Sequence, residues 1–181
     1  IRRCLVGSEM CIRDSFFPSI DRVDAKNNKI IYLDGPGGTQ VPIQVIEAIS
    51  QYYIRSNANT HGEFITSKET DGIMDELRYK MSEFLGSDNP STISIGQNMT
   101  SLNYSLARAL SKKFNSGDEV VITELDHEAN RGPWMVLEKA GVKLVEIKLL
   151  QNGGLDYEDF KSKINEKTVM VCMGMSSNAL G

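Results

Sequence analysis

His127 carries the most versatile side chain in this sequence, and Asp126, Glu128 and Asn130 crowd further polar groups around it. An imidazole at that point has several uses. It serves as an ordinary core or surface histidine, as a zinc ligand, or as a flat plate that stacks on a heteroaromatic ring and still donates a hydrogen bond. For zinc the partners are missing, because His61 is the only other histidine and no cysteine pair lies nearby. A second cluster is Gly96-Gln97-Asn98-Met99-Thr100-Ser101. If a helix starts there, its unpaired N–H groups and the positive end of its dipole suit a phosphate, and the hydroxyls of Thr100 and Ser101 add donors. The plain alternative is that Asn98 or Thr100 simply caps that helix. Asn178 is a third candidate, an amide close to the end of the sequence; asparagine also favours turns for its own backbone reasons.

These residues matter only if secondary structure brings them to one place. The stretch GDEVVITELDHEANRGPW, residues 117–134, reads as a turn, a buried strand, a loop holding His127 and a helix opening near Pro133. His127 then lies just past the carboxyl end of a strand, the edge at which open parallel sheets bind ligands. Upstream, KIIYL at 29–33 is a strand candidate leading into Gly35-Pro36-Gly37-Gly38. That turn is a poor match to a dinucleotide fingerprint, since no G-x-G-x-x-G is present and Pro42 follows closely. Ile43, Ile46, Ile49 and Tyr53 give a first helix its apolar face. Residues 56–68 read as a polar loop. Ile73, Leu77, Met81 and Phe84 mark a second helix that Gly86 ends.

Further on, residues 92–95 are expected to form a strand and residues 100–114 a helix with Leu102, Leu106, Ala109 and Leu110 inward. Strands are expected at 119–123, 143–147 and 168–173, with helices at 134–140 and 157–164 between them. Alternating strands and helices imply an α/β fold, a three-layer α/β/α sandwich around a mostly parallel sheet. On that frame Asn98, His127 and Asn178 share one sheet edge.

At 181 residues with 40% hydrophobic residues and a net charge of −4, the composition is that of a globular chain. No basic–aromatic pattern points to nucleic acid, and no apolar run approaches the ~20 residues of a membrane span. Cys4, Cys11 and Cys172 make no disulfide framework, so a cytoplasmic setting is expected. Cys172 lies inside an apolar strand and reads as an inert, buried thiol. Residues 1–15 lack any clean period and resemble translated adapter sequence, so they are set apart as a non-native or disordered leader. Residues 16–181 are the fold proper, and the stop at Gly181 directly after a strand suggests truncation inside a larger domain.

The segments YLDGPGGTQVP at 32–42, NANTH at 57–61, GQNMTSLNYSLARAL at 96–110, ELDHEAN at 124–130 and SSNALG at 176–181 together resemble the class V aminotransferase family of pyridoxal phosphate enzymes, in its cysteine desulfurase-like branch. The resemblance implies the large domain of a fold type I transferase. It implies pyridoxal 5'-phosphate as cofactor, an amino acid as substrate and a homodimer. Asn98, Met99 and Thr100 match the loop that holds the phosphate, His127 the residue that stacks on the pyridine ring, Asn178 the amide that contacts the ring hydroxyl or the substrate carboxylate, and His61 a histidine near the substrate. Gln97-Asn98-Met99 stands where desulfurases usually carry Gly-Thr-Thr, and Glu128 where they carry a second histidine. The Schiff-base lysine, the aspartate that pairs with the pyridine nitrogen and the desulfurase cysteine would lie beyond Gly181. No catalytic residue is therefore expected within residues 16–181, which alone would be inactive. Epimerase and kynureninase chemistry share the same framework, and a non-enzymatic phosphate-binding α/β domain is the alternative from another class.

Overall fold

A computed structural model describes residues 14–181. Residues 1–13, most of the expected leader, lie outside the described residues, with Cys4 and Cys11 among them. The chain divides into two compact units between Ile93 and Ser94.

In the N-terminal unit the expected strand at 29–33 is not formed: apart from a single antiparallel bridge between Val23 and Lys29, this segment is irregular. Ile31 and Leu33 are exposed, so the β-branched run finds no neighbour to pair with. Asp34 then closes the glycine turn by accepting the Gly37 N–H at 3.0 Å. Helix α1 spans Ile43–Arg55 and starts at Pro42, whose missing N–H costs nothing at a helix start. Helix α2 spans Ile65–Leu85 and so begins inside the expected loop. Gly86 ends it at φ 71°, a left-handed conformation in which a side chain would be strained. Among the described residues of this unit the buried side chains are Ser67, Thr70 and Ser82. Ser67 Oγ accepts the Gly62 N–H at 2.7 Å and donates to Asn59 O at 2.6 Å, stitching the 57–62 loop to α2.

After α2, residues 93–98 are irregular, so the strand expected at 92–95 is replaced by a short 3-10 turn, Pro90–Thr92, and a connector; the C-terminal unit begins at Ser94. Helix α3 spans Met99–Leu110. Its inward stripe is Asn103, Ala107 and Leu110, a spacing of i, i+4, i+7. Leu106 and Ala109, expected inside, are exposed; the stripe is rotated to the face that carries Asn103 and Ala107.

Strand β1, Glu119–Thr123, is central, and β2, Lys143–Ile147, and β3, Thr168–Val171, flank it in the order β2-β1-β3, all parallel. Val120, Val121, Ile122 and Thr123 are all buried, as a strand with neighbours on both edges and layers on both faces requires. A 3-10 helix, Gly132–Ala140, links β1 to β2 and ends at Gly141, φ 82°. Helix α4, Tyr157–Lys163, capped by Asp156, links β2 to β3. Because these crossovers run in opposite directions along the sheet, right-handed connection places them on opposite faces. One face forms the core: Val120, Ile122 and Cys172 from the sheet, Ala107 from α3, and Trp134, Leu137 and Val142. β3 carries an irregularity, with Thr168 opposite Glu119 but Met170 opposite Val120, so Val169 is an extra residue in the ladder.

Candidate functional site

The loop leaving β1 is held by a chain of polar groups beneath His127. Asp126 Oδ2 accepts the Thr123 hydroxyl at 2.5 Å, and Oδ1 accepts the Asn130 amide at 2.9 Å and the Gly174 N–H at 2.7 Å. Asn130, buried, receives on its own Oδ1 the Trp134 indole N–H at 3.2 Å and the Asn103 amide at 3.3 Å. Asn103 also donates to Ala129 O at 2.9 Å. Helix α3 and the loop after β1 are thus joined side chain to side chain, and Asp126 ties the backbone of the segment after β3 to the same loop. Buried amides without partners would each cost about 1–3 kcal/mol, which gives the constellation one preferred arrangement.

His127 itself is exposed, and its Nδ1 accepts the Ala129 N–H at 3.0 Å. That bond fixes the ring's orientation relative to the turn and leaves the proton of the neutral ring on Nε2, directed away from the turn as a donor. The side chain as a whole stays exposed.

Asn98 caps α3: its Oδ1 accepts the Ser101 N–H at 2.9 Å. The Asn98 side chain is therefore engaged by the helix, while the first-turn N–H groups of Met99 and Thr100 and the Thr100 hydroxyl are free to meet an anion. Gly96 is needed just before, because a Cβ there would come within 2.6 Å of Leu102 Cδ2. Asn178 opens a turn at 178–180 that Ser177 Oγ caps through the N–H groups of Ala179 and Leu180, at 3.1 and 3.2 Å. Its amide is exposed.

The C-terminal unit therefore holds Asn98, Met99, Thr100, His127 and Asn178. The loops after β1 and β3 leave adjacent strands, but Asn98 follows no strand and reaches the site as the start of α3. His61 belongs to the N-terminal unit. There it adopts φ 65°, and its N–H donates to both oxygens of Asp71, at 3.1 and 3.0 Å. The ring Nδ1 stands 3.6 Å from Asp71 Oδ1, beside an open recess of about 660 Å³ that Thr60, Asp75 and Arg78 also line.

Asn103, Thr123 and Gly174 went unread in the sequence. The signal for Asn103 was available: a polar residue on the apolar stripe of a helix needs a buried partner. Burial, followed by the nearby Asp126 charge, pushes the Cys172 thiol up to about 12, in keeping with an inert side chain. Among the described residues no helix is long and apolar enough to cross a membrane, and no group of three His, Cys, Asp or Glu side chains is placed to hold a metal ion.

Comparison with known proteins supplies the context. The aminotransferase class-V family profile matches residues 31–181. A probable cysteine desulfurase of Streptomyces coelicolor is 33% identical over 98% of this chain, and the chain spans 44% of that relative's length. The apo cysteine desulfurase of Thermococcus onnurineus superposes with a TM-score of 0.76 at 31% identity, over 84% of this chain and 38% of that one. C-DES, solved as a mutant with glycine covalently linked to its PLP cofactor, shares the fold with a TM-score of 0.62 at 21% identity, over 78% of this chain and 37% of that one. The parallel sheet and its flanking helices are an incomplete α/β domain of the PLP fold type I kind. With most of its length matched and the order of its elements shared, the chain belongs to the aminotransferase class-V family, among relatives that are cysteine desulfurases.

Proposed function

We propose that this chain forms the phosphate-holding and ring-stacking side of a pyridoxal 5'-phosphate site, in an enzyme that acts on an amino acid by cysteine desulfurase-like chemistry. The observation that carries the reading is His127: an exposed ring just past the end of the central strand, held by the Ala129 N–H. The Met99 and Thr100 N–H groups and the Thr100 hydroxyl would hold the phosphate, with the helix dipole adding to the attraction. His127 would stack on the pyridine, Asn178 would offer its amide to the ring hydroxyl or the substrate carboxylate, and His61 is proposed, on the resemblance alone, as a substrate-side residue. These groups fit the cofactor because they pair an anion cradle with a plate in one rigid unit. When bound, the cofactor supplies an electron-withdrawing ring that stabilises negative charge at the substrate's α-carbon. The chain's own part is to orient that ring. No lysine of this chain is proposed for the covalent attachment, and the residues named here do not choose among desulfuration, epimerisation and kynureninase-type cleavage. The working form is read as a cytoplasmic homodimer.

The test is His127→Ala in the full-length protein. Loss of one stacked ring is worth about 1 kcal/mol, so retention of pyridoxal phosphate, followed by its visible absorbance, should weaken roughly fivefold while the sheet stays folded. Unchanged retention removes the stacking role. A second reading, a non-enzymatic phosphate-binding domain, draws on the same free N–H groups of α3. It predicts binding of simple phosphate monoesters with no visible band on adding pyridoxal phosphate.

A further inference from the structure

The ladder between β1 and β3 ends in an unusual way. The Cys172 N–H donates to Val121 O at 2.8 Å as a parallel pair requires. Two residues on, the Gly174 N–H would continue the ladder to the Thr123 carbonyl. It turns instead to the Asp126 carboxylate, at 2.7 Å. A side chain has taken over from the backbone, and the strands part at this point. The gap is a small recess of about 20 Å³ lined by Thr123, Asp126, Leu155, Met173, Gly174 and Ser176. The fit is close: a Cβ on Gly174 would sit 3.1 Å from Asp126 Oδ1. The same carboxylate holds Asn130 and Thr123, so a single side chain fixes both the turn that carries His127 and the start of the segment that leads to Asn178.

We infer that Asp126 is a positioning residue that sets the separation of the two cofactor-facing loops, by replacing a ladder bond with a carboxylate clamp between β1 and β3. This rests on the proposed pyridoxal phosphate site for its functional consequence, while the clamp stands on the hydrogen bonds alone. The three donors meeting Asp126 are neutral, so what they require is acceptor geometry rather than charge. Asn at this position retains an acceptor oxygen for Gly174 and Asn130, and its amide can donate to the Thr123 hydroxyl, which then accepts. Asp126→Asn should therefore rescue what Asp126→Ala destroys.

The experiment uses the full-length protein carrying Asp126→Ala, Asp126→Asn or Gly174→Ala. Amide hydrogen exchange of the 172–178 segment is followed without cofactor, and retention of added pyridoxal phosphate is followed separately. Asp126→Ala is expected to speed exchange in that segment at least tenfold and to weaken retention at least tenfold. Asp126→Asn should stay within twofold of the unsubstituted protein in both. Gly174→Ala, which crowds the clamp without removing it, should fall between them and keeps the test available if Asp126→Ala does not fold. Exchange unchanged in Asp126→Ala or in Gly174→Ala overturns the clamp, and so does failure of Asp126→Asn to rescue. Faster exchange in Asp126→Ala, in a protein whose unsubstituted form shows no pyridoxal phosphate band, upholds the clamp and overturns the proposed function instead.

Discussion

Between residues 14 and 93 the buried side chains are Ser67, Thr70 and Ser82; between residues 94 and 181 they include Val120, Val121, Ile122, Trp134, Leu137 and Ile147. The N-terminal unit is organised by hydroxyls that bridge loop to helix, whereas the C-terminal unit is organised by a strand that water does not reach. The apolar faces of α1 and α2 are formed as their periodicity requires, yet Ile49, Tyr53 and Ile73 remain about half exposed or more. Amphipathic pattern is therefore enough to make a helix and does not by itself make a core. A core needs a second element at the right distance, which β1 obtains from β2, β3 and the helices that cross over them.

Substitutions can break this contrast or sharpen it. The largest effect is expected at Leu137, which is fully buried in the C-terminal core. Leu137→Ala should cost about 2–5 kcal/mol by chemical denaturation, from lost burial and the cavity left behind. A cost below 1 kcal/mol would show that the unit relaxes around the hole and is not the rigid half. Next comes Ser67→Ala, which strands the Gly62 N–H and Asn59 O and should cost about 1–3 kcal/mol. Amide exchange should localise that loss to the 57–70 region. The smallest effect belongs to Ile54→Ser. Its side chain is 75% exposed, so removing it should change stability by less than about 0.5 kcal/mol. If Ile54→Ser proved more damaging than Ser67→Ala, the N-terminal unit would depend on apolar contacts after all, and the contrast would collapse.

The same contrast explains what could be read in advance. Strands 119–123 and 143–147 follow from the sequence to the residue, the first as a run of β-branched residues and the second as a short mixed stretch, each preceded closely by a glycine. The runs at 29–33 and 92–95 have similar composition and form no strand, since pairing partners are a tertiary matter that a local pattern does not contain. The placement of His127 at a strand end was legible, and so was the cap at Gly86. The role of Asp126 was half legible: its presence in a polar cluster was visible, but its reach to Gly174, 48 residues away, depends on β3 lying beside β1 rather than beyond β2. The rotation of α3 toward Ala107 was missed because Ala109 and Leu106 offered an equally apolar stripe, and which of the two faces inward depends on the polar anchor at Asn103.

The extra residue in β3 has a reach of its own. Strand side chains alternate sides, so one inserted residue reverses the phase of all that follow. With Val169 present, Met170 points with Val120 into the core and Cys172 joins the same layer. In a regular ladder counted on from Thr168, Val169 would lie opposite Val120, Val171 would take the place of Cys172, and the turn bearing Asn178 would set out from the opposite side of the sheet. The side of the sheet from which that turn departs is thus decided nine positions upstream, by a valine that half faces solvent.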